Sequence, residues 1–174
     1  MARPTRTQEP AAPRLRRAYY DCRYGQLHIH NAIPAGGGFD ELTSVLCVPG
    51  AGESGRVFAP LLLALGYARS VYALDVPGTG ESDPAPGVAA TTAAVHAVAD
   101  FVDSMRIRSF DLVARGTGCA AALQLLEERD AAVRRVLLLD APAATRAGPK
   151  VTVVAGGDAA TLPGRVVELL AGPT

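Results

Sequence analysis

Leu112-Val113-Ala114-Arg115-Gly116-Thr117-Gly118-Cys119-Ala120-Ala121 decides how the rest of the chain is read. An apolar strand runs into a glycine turn, and an alanine-rich helix follows at once. A strand that turns so sharply into a helix lifts the corner residue above the end of a sheet, as in the pattern G-x-S-x-G, where that residue is an attacking serine. Here the five positions read Ala114-Arg115-Gly116-Thr117-Gly118, and glycine stands at the corner. The scaffold for a nucleophile is present without the nucleophile.

Outward from this stretch, strand and helix patterns alternate. Ala18–Tyr24 and Gln26–Asn31 read as strands around a turn at Gly25, with His28 and His30 on one face. Gly36-Gly37-Gly38 marks a loop. Ser44–Val48 is a short apolar run of the buried-strand type, and a helix starting at Glu53 or Ser54 extends to Leu65. Ser70–Asp75 is the next strand, Thr91–Met105 a helix, Phe110–Ala114 a strand and Thr117–Arg129 a helix. Strands follow at Arg134–Asp140 and Lys150–Ala155. Arg165–Leu170 fits either a strand, through Val166-Val167, or a short helix opened by Pro163. This order predicts a parallel, doubly wound α/β sheet with helices on both faces. Three glycine-rich breaks, at 49–52, 77–80 and 115–118, each follow a strand, so all three are expected on the carboxyl edge, where such sheets place their sites.

The chain has 174 residues, 49% of them hydrophobic, which suffices for one globular domain over residues 18–174. Aromatic residues make up only 5%, so the core is built from Val, Leu and Ala. With 17 basic and 17 acidic residues there is no overall field to recruit nucleic acid or a membrane surface. Residues 1–17 are proline-containing and carry Arg3, Arg6, Arg14, Arg16 and Arg17 against Glu9, the composition of a solvated, disordered basic arm. No apolar run is long enough to span a membrane and no signal-peptide core is present, so a cytoplasmic address is expected. Cys22, Cys47 and Cys119 lack metal-ligand spacing, and neither a metal nor a cofactor is expected. The Ala/Arg/Gly/Pro bias suggests a GC-rich bacterial gene.

Three further stretches carry a family resemblance. Leu74-Asp75-Val76-Pro77-Gly78-Thr79-Gly80-Glu81-Ser82-Asp83 is similar to the D-x-P-G-x-G-x-S motif of the α/β-hydrolase family. Val45-Leu46-Cys47-Val48-Pro49-Gly50-Ala51-Gly52-Glu53-Ser54 resembles the family's strand and His-Gly segment, with Pro49 in the histidine's place. Val136-Leu137-Leu138-Leu139-Asp140 and Val151–Gly157 resemble the next two strands. From about Tyr19 onward the chain therefore resembles a three-layer α/β-hydrolase-like domain without a cap.

The resemblance also implies what has changed. A hydrolase of this kind needs a nucleophile, a histidine base and an acid that orients it. The nucleophile position is Gly116, and the acid position aligns with Ala159, with Asp158 one residue away. The histidine is expected after a last strand that Val166–Thr174 resembles, beyond Thr174. His28, His30 and His96 lie elsewhere and read as structural or surface residues. Only Ala141–Pro149 and Gly156–Gly164 are available for the last two crossovers, where about a dozen residues are usual. Two helices are therefore expected to be missing or reduced. One sheet face would be uncovered, and a homodimer, with the C-terminal strand exchanged, is expected to cover it.

The backbone half of the machinery implied by the resemblance is retained. The oxyanion hole falls to the N–H groups of Ala51 and Thr117, which need no particular side chain. Gly116 leaves a vacancy above the sheet, with Gly50, Gly52, Glu53, Ser54, Arg115 and Gly118 around it as substrate-binding candidates. Arg115 suits a phosphate or carboxylate, or equally an exposed salt bridge. The resulting expectation is acyl transfer from a carrier-bound thioester to a thiol or hydroxyl, as in the hydrolase-like acyltransferases of nosiheptide-type thiopeptide assembly, which the chain resembles in general type. An acyl carrier protein and a peptide would be the partners. Two alternatives stand beside it: an inactive binding module that keeps these turns for packing, and a hydrolase rebuilt from Ser82 or Cys47 with Asp140.

Overall fold

The computed structural model of the protein describes residues 12–35, 42–155 and 160–172. The glycine loop at 36–38, Asp158 and Ala159, Thr174 and the first part of the basic arm lie outside these residues. The elements are β1 (Arg16–Cys22), β2 (Gly25–Ala32), β3 (Ser44–Val48), α1 (Ala59–Leu65), β4 (Val71–Leu74), α2 (Ala90–Ser104), β5 (Phe110–Arg115), α3 (Gly118–Glu128), β6 (Val133–Leu139), β7 (Val151–Val154) and α4 (Leu162–Ala171). The strands form a seven-stranded sheet in the order β1-β2-β4-β3-β5-β6-β7. β3 to β7 run parallel, while the β1–β2 hairpin adds antiparallel through β2 against β4.

The apolar runs Val45–Val48, Val71–Leu74 and Phe110–Ala114 are buried on both faces, as parallel strands under two helical layers must be. α2 and α3 cover one face, where Phe101, Val98 and Leu125 pack on Leu46, Leu112 and Leu138. α1 covers the other, where Phe58 and Leu62 pack on Val45, Val113 and Leu137. This is the mainly parallel, three-layer α/β architecture expected from the sequence.

The differences lie at the ends. Residues 165–170 are helical rather than a last strand. Pro163 opens α4, and Val166 and Leu170, one turn apart, are buried against the α1 face. Burying each contributes about 1.5–3 kcal/mol. Arg135 on β6 fixes the far end of α4 by donating to the carbonyls of Leu169, at 2.6 Å, and Gly172. The sheet face expected to be bare is therefore covered by α4, and the sheet ends at the edge strand β7. Only Val153 of β7, 36% exposed, faces solvent as a large apolar side chain of that strand. The β6–β7 link does lack a helix, with residues 141–150 in turns and extended chain. The helix expected from residue 53 or 54 begins instead as a single 3-10 turn, Gly55–Phe58, capped by Ser54, before α1. The basic arm ends earlier than expected: Pro13 is buried, and Arg16 and Arg17 already pair in β1.

Candidate functional site

β5 ends at Arg115 and α3 begins at Gly118, so the corner is two residues long. Gly116 takes φ +53, a conformation costly for an L side chain, and its N–H donates to the Leu139 carbonyl at 3.0 Å. A Cβ built on Gly116 would meet nothing closer than the Gly50 Cα at 4.0 Å. The left-handed corner of a nucleophile elbow is thus kept without strain, with open space where the attacking side chain would stand. A Cβ on Gly118 would lie 2.3 Å from the Pro49 carbonyl oxygen, so this glycine lets α3 press on the end of β3.

Around the corner stand most of the residues expected there. The Ala51 N–H donates to the Thr117 hydroxyl at 2.6 Å, and the Gly50 N–H donates to Glu53 Oε2 at 3.0 Å. Gly52 turns the loop between them at φ +77. Arg115 reaches Glu53 Oε2 at 3.6 Å and Asp140 Oδ2 at 3.3 Å. A crevice of about 50 Å³ beside Ala51, Thr117 and Gly118 continues to Val76 and Ala94. One of about 100 Å³ opens on the other side of Arg115, toward Asp140 and Leu61. Ser54 departs from expectation. Its hydroxyl is turned away to Asp75 Oδ1, at 2.6 Å, because it caps the 3-10 turn and binds the neighbouring polar cluster.

That cluster is what sequence reasoning missed. Asp75 is buried at the end of β4. Its Oδ1 accepts from Ser54 Oγ and the Gly55 N–H, both at 2.6 Å; its Oδ2 accepts from His28 Nδ1 at 2.8 Å and the Glu81 N–H at 3.0 Å. Ser82 closes the loop, donating to the Asp75 carbonyl at 2.6 Å and accepting the His28 N–H at 2.8 Å. Burial alone would raise the Asp75 carboxyl; the donors from Ser54, His28, Glu81 and Gly55 outweigh it and hold the group below the usual carboxylate range. His30 is lowered from its ordinary value, by burial first, with Asp75 opposing. One ligand atom each of His28, His30 and Asp75 lie within 4.8 Å of one another, a spacing open to a metal ion. The four donors on Asp75 already occupy its lone pairs, so the cluster reads as a structural knot that staples β2, the Ser54 turn and the 76–83 loop.

The alternatives for a nucleophile are closed. Burial pushes the Cys47 thiol far up, and burial, then the Asp140 charge, pushes Cys119 up to about 11. Ser82 is tied inside the cluster. Asp140, at the positive φ of +49, faces Arg115. None of the histidines serves the corner: His28 and His30 sit on β2, separated from β5 by β4 and β3, and His96 on α2 bonds the Tyr24 hydroxyl at 2.5 Å.

The model of a family described as the alpha/beta hydrolase family matches residues 45–173. Among solved structures, Cfl2 from Burkholderia cenocepacia is similar at a TM-score of 0.65 and 23% identity, over 78% of this chain and 47% of that one. An epoxide hydrolase from an endophytic Streptomyces is similar at 0.65 and 23%, over 77% and 39%. The epoxide hydrolase VrEH1 from Vigna radiata gives 0.64 and 19%, over 79% and 43%. At these identities the likeness speaks to the fold. The chain spans less than half the length of each of these proteins. No curated protein matches.

Proposed function

Because the chain belongs to the alpha/beta hydrolase family, we propose that it uses the family's corner without the family's nucleophile, as an acyl transferase that holds a thioester for attack by an external acceptor. The observation that carries this reading is Gly116, kept at φ +53 with open space above it. The thioester oxygen would take the N–H of Ala51 and that of Thr117, one of the first N–H groups of a helix, which have no carbonyl partner one turn back. The Thr117 hydroxyl, which holds the Ala51 N–H, rotates away as the carbonyl enters. The acceptor's thiol or hydroxyl then forms the new bond to carbon from the space that Gly116 leaves. The carbon–sulfur bond breaks, and the acceptor's proton ends on the departing thiol. No acyl group is attached to the protein. The setting that suits this chemistry is a carrier-borne aryl or alkyl thioester passed to a peptide, as in bacterial thiopeptide assembly.

A second reading rests on a different observation. With the Ala51 N–H satisfied at 2.6 Å, the corner is complete without substrate, as in a module that only binds. Incubation with p-nitrophenyl esters and a fluorophosphonate is expected to give neither turnover nor labelling under both readings. Transfer from a panel of carrier-bound thioesters separates them: transfer above background supports the enzyme, and none across the panel supports the binder.

A further inference from the structure

The largest cavity among the described residues, about 630 Å³, lies not at Gly116 but beside His28, His30 and Ser54. Two imidazoles stand at its wall. His28 and His30 are alternate residues of β2, so they share one face of the sheet, and their rings pack at 82° with centres 4.6 Å apart. Asp75 adjoins both rings, at 2.8 Å and 3.5 Å. It has no lone pair to give, because Ser54, Gly55, His28 and Glu81 already donate to it.

The imidazoles are in the opposite condition. Asp75 accepts two backbone N–H groups and a hydroxyl, so it is the acceptor toward His28 as well, and the proton between them belongs to Nδ1. The neutral ring then carries its lone pair on Nε2. His28 is 1% exposed, and this nitrogen has no hydrogen-bond partner among the described residues. Leaving a buried acceptor unpaired is costly. His30 has the same surplus. Its contact with the Ser54 hydroxyl is long, at 3.3 Å, and that hydroxyl's single hydrogen goes to Asp75 at 2.6 Å. In either tautomer one lone pair of the His30 ring is therefore unspent among the described residues. A free lone pair on Nε2 with a carboxylate behind Nδ1 is how a metal-ligating histidine is oriented and made more basic.

We propose that His28 and His30 hold a divalent transition-metal ion of the zinc type, with Asp75 as the outer carboxylate that orients His28. Imidazole nitrogen suits such an ion, whereas magnesium and calcium seek oxygen. One ligand atom of each ring lies within 4.8 Å of the other. Two nitrogens at about 2.0–2.1 Å from one tetrahedral ion stand roughly 3.3 Å apart. A turn of the His30 ring, 16% exposed at the cavity, closes the difference. The remaining coordination positions face the cavity. Arg17 is answered there by Glu81 at 3.7 Å, while the charge of Arg56 favours an anionic oxygen as a further ligand. A site built from imidazoles leaves no trace in cysteine spacing.

The test is titration of the whole chain, free of any affinity tag, with Zn²⁺ against a competing zinc indicator, alongside thermal melts. One ion per chain is expected to bind and to raise the melting temperature, and Mg²⁺ is expected to do neither. His28→Asn places an amide where Nδ1 stands, so it keeps a donor for Asp75 and removes Nε2. His30→Ala removes the second ligand from a partly exposed position. Each is expected to weaken zinc binding at least about tenfold, the least that losing even an outer partner costs. Melts without metal show whether each variant folds, and His30→Ala decides the matter if His28→Asn does not. His96→Gln and Cys22→Ser are expected to bind as the parent does. Absence of zinc binding by the parent, binding undiminished in His30→Ala, or binding lost in His96→Gln or Cys22→Ser overturns the proposal.

Discussion

The hydroxyl of Thr117 accepts the backbone N–H of Ala51 at 2.6 Å, so that N–H already has a partner within the protein. A carbonyl that enters must displace this bond. A neutral hydrogen bond is worth about 1 kcal/mol net, or about fivefold in an equilibrium constant. Thr117→Val keeps the shape and removes the acceptor. It is expected to raise affinity for a carbonyl-bearing ligand about fivefold, read by titration with a non-transferable thioester analogue. A fall in affinity would mean that the hydroxyl contacts the ligand itself.

Gly116→Ser tests whether the corner alone makes a hydrolase. The open space accepts the side chain, and the positive φ costs about 1 kcal/mol of stability, measurable by urea unfolding. Esterase activity and fluorophosphonate labelling are expected to stay at background, since His28, His30 and His96 are all held elsewhere. Turnover by this variant would show that a base reaches the corner.

Asp75 and His30 set the acid limit of the fold. Both are lowered from their ordinary values, so the unfolded chain binds more protons than the native one as pH falls. Stability should be full above about pH 6.5, decline as His30 resists protonation, and decline again below about pH 4 as Asp75 does. Asp75→Asn is expected to cost about 3 kcal/mol at neutral pH and to flatten the lower phase. Urea midpoints from pH 7.5 to 3 report both, and a midpoint independent of pH would remove the cluster's role.

Two glycines should respond in opposite directions to alanine. At Gly80, φ is +54 and a Cβ would stand 1.9 Å from Asp75 Oδ2, so Gly80→Ala should lose about 2–3 kcal/mol or more. At Gly164, inside α4, a Cβ meets nothing within 4 Å, and Gly164→Ala should gain about 0.5–1 kcal/mol. Equal effects in thermal melts would contradict the close packing of the 76–83 loop on Asp75.

The sheet was legible because strands buried on both faces read as unbroken apolar runs, and Leu46, Leu74 and Leu112 sit in such runs. The corner was legible because Gly116 and Gly118 answer local demands of space and dihedral angle. Residues 165–170 were ambiguous because two adjacent valines suit a strand, whereas burial against α1 selects Val166 with Leu170. Asp75 was visible as part of a motif but not as a hub, since its partner His28 lies 47 residues away and the glycine pattern names no partner. Ser54 was assigned to the wrong cavity for the same reason: chain proximity to Ala51 says nothing of which way a capping hydroxyl turns.

Arg115 belongs to β5, Glu53 follows β3 and Asp140 follows β6, so one guanidinium bridges residues at the ends of three strands. All three side chains are at least one-third exposed. Their attraction therefore weakens with the surrounding electrolyte, whose screening length shrinks from about 30 Å at 0.01 M to about 8 Å at physiological strength. Added salt should therefore free the Arg115 guanidinium from both carboxylates, while the backbone ladders of β3, β5 and β6 keep the strand ends in place.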